Sequence, residues 1–428
     1  MDARADKVTV SKASPGRGGA LAAVFLLGFS SGLPFALTAG PMQAWMTRGG
    51  IDVAVIGAMA AVTLPYSLKF LWSPLMDRFV PPLLGRRRGW MILCQFAAAG
   101  AIAAMAAVGV GNLWALAVTA SLVAFFSASQ DIVIDAYRTE ILAPHELGLG
   151  AGLATSGYRI GLLCSASLSM VAAAHIPWPV VYMLMAAGML VGVVTTLSAP
   201  EPAVGVRPPA TLREAVVRPL VEFLRRRGAG EILAFILIYK CDAAMVAGMM
   251  TRFMLDLGFL EDQIGLVSQG LGLGATIVGA TLGGAVITRL GIRRALWSFG
   301  LLQAMAGISF TALALAGRNV GMMVAAILVE NLCAGMATAA FIGFIMSLCD
   351  KRFTATQFAL LTSLMALGRT GAQVPSGWLA RQIGWPGFFL VATVIAAPSL
   401  LLLTRYRTWE GALQDSPRPL ETPTRSQE

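Results

Sequence analysis

The chain has 428 residues, of which 57% are hydrophobic and 13% charged, with a net charge of +10 and a mean hydropathy of +0.73. So much apolar surface excludes a water-soluble fold, even one divided at ~150 residues per domain, and marks an integral membrane protein. The basic excess falls in short clusters between apolar runs and not on one soluble face, so it reads as a topology signal and excludes nucleic acid as a partner.

In chain order, residues 1–19 form a polar, basic segment. The apolar run from Ala20 is longer than a signal-peptide core and lacks an A-x-A exit, so it is the first span, uncleaved. Apolar windows predict twelve helices at 20–44, 52–75, 90–110, 112–137, 147–173, 178–199, 231–255, 262–288, 295–316, 320–348, 355–380 and 385–404. This gives five parts: a 1–19 cytoplasmic segment, a 20–199 six-helix bundle, a 200–230 cytoplasmic loop, a 231–404 six-helix bundle and a 405–428 cytoplasmic tail.

Alternation puts both termini and the 76–89, 138–146, 200–230, 289–294 and 349–354 loops on one side, with 24 of the 32 basic residues. Four of the 24 precede the first span (Arg4, Lys7, Lys12, Arg17), and the linker and tail contribute Arg207, Arg418 and Arg425 among others. The opposite side has only Arg48, Arg252, Arg318 and Arg381, so both termini are expected in the cytoplasm. Cys94, Cys164, Cys241, Cys333 and Cys349 form no C-x-x-C pair and read as packing residues, with no metal site.

The two sets of six helices echo each other. Arg-Ile-Gly at 159–161 returns as Arg-Thr-Gly at 369–371, and the basic turn at Arg78 returns at Arg289, offsets of 210 and 211. Two parallel repeats around a cytoplasmic loop resemble an all-α major-facilitator fold, with twelve transmembrane helices. Asp77-Arg78 with Gly85-Arg86-Arg87-Arg88, and Thr288-Arg289 with Gly291-Ile-Arg293-Arg294, resemble that superfamily's loop signature. The first copy carries an insertion at 79–84 and the second has Thr288 where an acid is expected. A carboxylate and guanidinium cluster here can latch the inner gate, which assigns Asp77, Arg78, Asp135, Arg138 and Arg289 to gating. Arg86 to Arg88 read mainly as topology determinants.

Eight charges fall inside the membrane: Lys69, Arg159, Lys240, Arg369, Asp131, Asp135, Asp242 and Glu330. A lone charge at mid-span costs about +3 kcal/mol even on insertion scales, so each needs a partner or a function. Asp131 and Asp135 lie one turn apart on one face, so both ionising is costly. Arg138 neutralises the shallower Asp135, with Glu140 in the same cluster, which leaves Asp131 as the first candidate for proton coupling and Glu330 and Asp242 as the others. The competing reading of Asp131 is a structural ion pair with Arg159. Arg159 and Arg369 hold matching places in the repeats and can grip a carboxylate between them, while Lys69 snorkels near the cytoplasmic end. Lys240 and Asp242, two residues apart, point to different faces and cannot pair. Tyr66, beside Pro65 in a kinked helix, and Tyr158 can face sugars.

No catalytic set is visible: His145 and His175 lie in loops, and neither H-E-x-x-H nor an ATP-binding G-x-x-x-x-G-K-[ST] loop occurs. No cofactor and no enzyme activity is expected.

Several strings are more specific. Ser31-Gly-Leu-Pro-Phe-Ala through Gln43-Ala-Trp45, Leu64-Pro-Tyr-Ser-Leu-Lys through Asp77-Arg78, Leu84 to Trp90, Ser129-Gln-Asp-Ile-Val-Ile-Asp-Ala-Tyr-Arg-Thr-Glu140 and Gly157-Tyr-Arg159 resemble the AmpG family of muropeptide permeases. The likeness is dense over residues 25–161 and elsewhere rests on layout and the Gly368-Arg369 step. It implies proton-driven import of anhydromuropeptides across the bacterial inner membrane for peptidoglycan recycling, with a link to β-lactamase induction and antibiotic resistance in some bacteria. It places Gln130 and Asp131 in the family's string, whereas Lys240, Asp242, Glu330 and Arg369 rest on the physical argument. The expected partners are the muropeptide, protons and the lipid bilayer, with a monomeric protein. Two alternatives stay open: another anionic cargo, such as acetyl-CoA, for which only dispersed cations are visible, or a small peptide, and a non-transporting assembly factor.

Overall fold

The structure, a computed structural model, describes residues 17–409 except 53–54, 57–58, 83, 203–208 and 210. The basic residues Arg4, Lys7, Lys12, Arg207, Arg418 and Arg425 therefore lie outside the described residues. Among the described residues there are helices and turns and no strand.

Twelve helical segments follow the twelve apolar windows. In the N-terminal half they are α1 (Arg17–Leu37, then Gly40–Arg48), α2 (short pieces from Met59–Thr63 to Ser73–Arg78), α3 (Arg86–Val108), α4 (Leu113–Ile141), α5 (Leu147–Leu163 through Ser169–Ala173) and α6 (Trp178–Gly188, Leu190–Ser198). In the C-terminal half, α7 is Ala229–Ile238 plus Cys241–Asp256, α10 is Val320–Leu348, and α11 is Thr354–Gln373 continued to residue 383. Helix Leu273–Ala316 is really two arms, because Gly291 at φ 76°, ψ 159° reverses the chain between α8, which ends at residue 290, and α9 (292–316). Gly384, at φ 69°, does the same between α11 and α12 (from 385). Both conformations lie where L side chains are strained, so glycine makes these tight turns possible.

The windows and the helices differ most at α2. One 24-residue span was expected, but Pro65 and Pro74 each withhold a backbone donor, and the segment breaks into α and 3-10 pieces. Among the described residues, eight helical stretches are long and apolar enough to cross a membrane, one of them holding both α8 and α9. The repeat also shows in a detail the windows cannot carry. Asn112 caps α4 by accepting from Ala115 N at 3.1 Å, and Asn319 caps α10 by accepting from Met322 N at 3.0 Å.

Buried clusters show how the halves meet. Toward the cytoplasmic ends the clusters cross between halves: Leu147 and Ala151 of α5 share a core with Ile287 and Phe344, and Ile132 and Tyr137 of α4 share one with Ala355 and Ala359 of α11. Toward the opposite ends each cluster stays within one half, around Trp45, Trp178 and Tyr182 in the first and Phe253, Phe310 and Phe389 in the second. The molecule is thus closed by packing on the cytoplasmic side and divided on the other. A linker helix, Leu212–Leu224, lies across this closed side, with Gln357 Nε2 of α11 donating to its Pro219 O at 3.3 Å.

Candidate functional site

At the cytoplasmic closure, Asp77 ends α2 and is fully buried. Its carboxylate accepts from Ala355 N at 3.3 Å, Thr356 N at 2.8 Å and Thr356 Oγ1 at 2.7 Å, so a residue of the first half caps the N-terminus of α11 in the second. That helix end is short of acceptors and carries positive dipole, so a carboxylate is the favoured partner. Arg87 of α3, also fully buried, donates to Asp77 at 2.8 Å and to Glu140 of α4 at 2.5 Å. Arg86 donates to Glu140 at 3.1 Å and to Lys351 O at 3.5 Å across the halves.

The arrangement corrects the sequence reading of this loop. Arg86 and Arg87 are buried members of the ion cluster and not mere topology determinants, and Arg87, not Arg78, holds Asp77. Arg78 instead donates to Pro209 O of the linker at 2.9 Å and lies over the Phe79 ring. Glu140 does not join Asp135 and Arg138. Asp135 pairs with Arg138 at 2.9 Å and sits 3.9 Å from Lys69, and the Arg138 guanidinium lies over Phe358 of α11. In the second copy of the loop Arg289 is exposed, and among the described residues Thr288 bonds only to its own helix at Ala285 O. No ion cluster involves Arg289 among the described residues.

Higher in the molecule lie Asp131, Arg159, Lys240 and Arg369, while Asp242 and Glu330 are buried within the second half. Asp131 accepts from Ser31 of α1 and lies within electrostatic range of Lys69, Asp135 and Arg138. Asp131 and Arg159 form no ion pair among the described residues. Arg159 and Arg369 are exposed to open space, within electrostatic range of each other, and neither is in an ion pair among the described residues. Tyr158 lies within electrostatic range of Asp131 and Arg159, and Tyr66 within range of Asp131, with its ring edge-on to Phe35 at 4.7 Å.

Helix α7 breaks at Lys240, whose Nζ donates to Thr338 Oγ1 of α10 at 3.1 Å; although no ion pair joins it to Asp242, that acid is its strongest charged neighbour, with Arg369, Glu330 and Arg159 also within electrostatic range. The sequence presents dispersed cations; the fold gathers three of them. Asp242 and Glu330 are 5% and 4% exposed and line a cavity of about 10 Å³, room for about one water, with Gln303 of α9. Gln303 Nε2 donates to Glu330 at 2.6 Å, while Asp242 Oδ1, Glu330 Oε2 and Gln303 Oε1 have no hydrogen-bond partner among the described residues. A proton or a water with donors to give fits these orphaned acceptors. Gln303 escaped the sequence reading because a lone glutamine in an apolar helix carries no signature. Gln130 is fully buried and donates to Ser30 Oγ at 3.2 Å, so it lies behind the open space and does not line it.

The chain matches the Major Facilitator Superfamily over residues 23–373. It is 44% identical over 385 residues to the anhydromuropeptide permease of Escherichia coli (strain K12), covering 89% of this chain and 78% of that protein. It is 30% identical over 399 residues to putative transporter AmpG 4 of Rickettsia conorii, covering 90% and 96%. Among solved structures, the outward conformation of the transporter FucP superposes with a TM-score of 0.69 at 14% identity over 91% of this chain and 97% of that one. The human organic anion transporter MFSD10 gives 0.66 at 18% over 91% and 100%. These two show the fold alone. With twelve helices in two echoing halves and relatives matched over most of their length, the chain belongs to the AmpG-type permeases of the major facilitator superfamily.

Proposed function

We propose that this protein is a secondary transporter of the bacterial inner membrane that imports anhydromuropeptides by alternating access, coupled to protons. The observation that carries the cargo is the 44% identity to the anhydromuropeptide permease along 89% of the chain. The site suits such a ligand: Arg159, Arg369 and Lys240 offer charge-assisted bonds to peptide carboxylates, and Tyr66 and Tyr158 offer faces for sugar rings. Proton coupling rests on Asp131, which accepts from Ser31 and lies within electrostatic range of Lys69 and Asp135, with Asp242 and Glu330 as a second group of acids in α7 and α10. In the closed cytoplasmic arrangement the Asp77 latch holds α2 to α11, and inward opening requires its bonds to break.

The gathering of Lys240, Arg159 and Arg369 also favours a phosphate-bearing anion such as acetyl-CoA as cargo. One experiment separates the two: uptake of labelled anhydromuropeptide into cells lacking their own permease, with unlabelled acetyl-CoA as competitor. The account expects uptake that a protonophore and Asp131→Asn each abolish at normal membrane levels of protein, and no competition. Absence of uptake by well-expressed wild type refutes the cargo; survival in Asp131→Asn moves the proton to Glu330 or Asp242.

A further inference from the structure

Two of the four basic residues on the side opposite the cytoplasm, Arg252 and Arg381, line one cavity of about 430 Å³ at the outer ends of α7 and α11. Its wall also includes Met249, Asp256, Gly384 and Trp385. Arg252 pairs with Asp256 at 3.0 Å yet its side chain is 70% exposed, and Trp385 Nε1 donates to the same Asp256 at 3.2 Å. Arg381 is exposed and is in no ion pair among the described residues. The positive-φ break at Gly384 is what turns Trp385 back against α7, where its ring packs on Phe253 at 5.2 Å.

The spacing gives this cavity its meaning. Helices α7 and α11 run in the same direction and pack along their length: Gly368 against Leu237, Gln373 donating to Ala244 O at 3.2 Å, and Trp385 against Phe253. Lys240 and Arg369 form an inner pair of cations on these two helices, and Arg252 and Arg381 stand 12 residues further out on each. At 1.5 Å per residue the outer pair lies about 18 Å beyond the inner one. That is the reach of about five residues of extended chain, or of a shorter peptide carried on sugar rings. Positive-inside topology gives no reason for two arginines at this mouth, and a shared cavity beside an indole does.

We propose that the Arg252–Arg381–Trp385 cavity is an outer subsite for a carboxylate-bearing peptide arm, so that an elongated anionic ligand is held at both rungs of a cationic ladder. The ligand class rests on the functional reading above; the ladder itself rests on the placement of the four cations. Tight, two-ended binding then selects for ligands long enough to span both rungs, and the outer rung captures the anion before it reaches the inner one.

The test is uptake kinetics of the full-length protein with an anhydro-disaccharide carrying a tripeptide and with the same disaccharide lacking peptide. Arg381→Ala and Arg252→Ala are expected to raise KM for the peptide-bearing ligand about three- to tenfold, leave kcat within about twofold, and leave the peptide-free ligand unaffected; Arg381→Lys is expected to recover part of the loss. An unchanged KM for the peptide-bearing ligand overturns the subsite, as does an equal rise for both ligands. Should wild type import neither ligand, the cargo reading falls alone, and binding of a tri-glutamate peptide to purified protein decides the ladder: weakening in Arg381→Ala supports it, equal binding overturns it.

Discussion

The same loop occurs twice in this chain and has been put to opposite uses. Where α2 meets α11, the seam is ionic: Asp77 caps α11, Arg87 bridges Asp77 to Glu140, and Glu201 accepts from the backbone of Arg87 and Arg88 at 2.8 and 2.9 Å. Where α5 meets α8, residue Thr288 takes the place of the acid, and the seam is closed by small residues instead. A Cβ on Gly152 would collide with Ala280 O, and Gly284 lies against Gly148 O, with Ser156 and Thr281 hydroxyls bonded at 2.9 Å beside them. Charge-assisted bonds can be exchanged for water as a gap opens, whereas backbone-level packing tolerates rotation but little separation. The halves are thus joined by an ionic latch on one flank and a close-packed pivot on the other.

Breaking the latch should have the largest effect. Arg87→Met leaves the buried Asp77 without its cation and Glu140 with Arg86 alone, a loss of about 3–5 kcal/mol, and is expected to lower the thermal midpoint of the purified protein and abolish uptake. The pivot should fail next. Gly152→Val forces side-chain atoms into the α8 backbone, costing about 1–3 kcal/mol, and a cross-link assay between α5 and α8 should report their separation.

A smaller effect sharpens the picture at the turn that receives the latch. Asp350 is pushed up by burial but held below its ordinary value overall by its bonds to Arg352, at 2.7 Å in the ion pair. A depressed carboxylate contributes stability that is fully present above its unfolded value and lost as pH falls through the folded one. The difference in thermal midpoint between wild type and Asp350→Asn should therefore be constant from pH 8 to 5 and shrink only below the usual carboxylate range. Arg352 is 29% exposed, so the pair is worth at most about 1 kcal/mol. Smallest of all, Arg289→Ala removes an exposed charge from the loop without a latch and should change stability by no more than about 0.5 kcal/mol. An effect as large as that of Arg87→Met would end the claim that the two loops differ in use.

Much of this was legible in the chain because hydrophobic length and basic asymmetry are local quantities. The twelve windows, the offset of Arg159 and Arg369 and the missing acid at Thr288 can all be read without knowing a contact. What stayed hidden depends on depth and register. The insertion at 79–84 carries the chain so that Arg87, ten residues past Asp77, becomes its partner, and no spacing rule distinguishes that arginine from Arg78 or Arg88. Gln130 stands beside Asp131 in the family's string and both bond to α1, at Ser30 and Ser31, yet Gln130 is fully buried while Asp131 keeps some exposure, since neighbours in a helix point about 100° apart. The cluster of Lys240, Arg159 and Arg369 comes from three helices in two halves, and only packing brings them together.

The most direct measurement of the whole account uses purified protein in liposomes under an imposed proton gradient, with labelled anhydromuropeptide outside. The account predicts concentrative uptake that collapses with the gradient and is lost in Asp131→Asn and Arg369→Ala, while both variants keep the wild-type thermal midpoint. Gradient-independent accumulation, or none by a well-folded wild type, contradicts it.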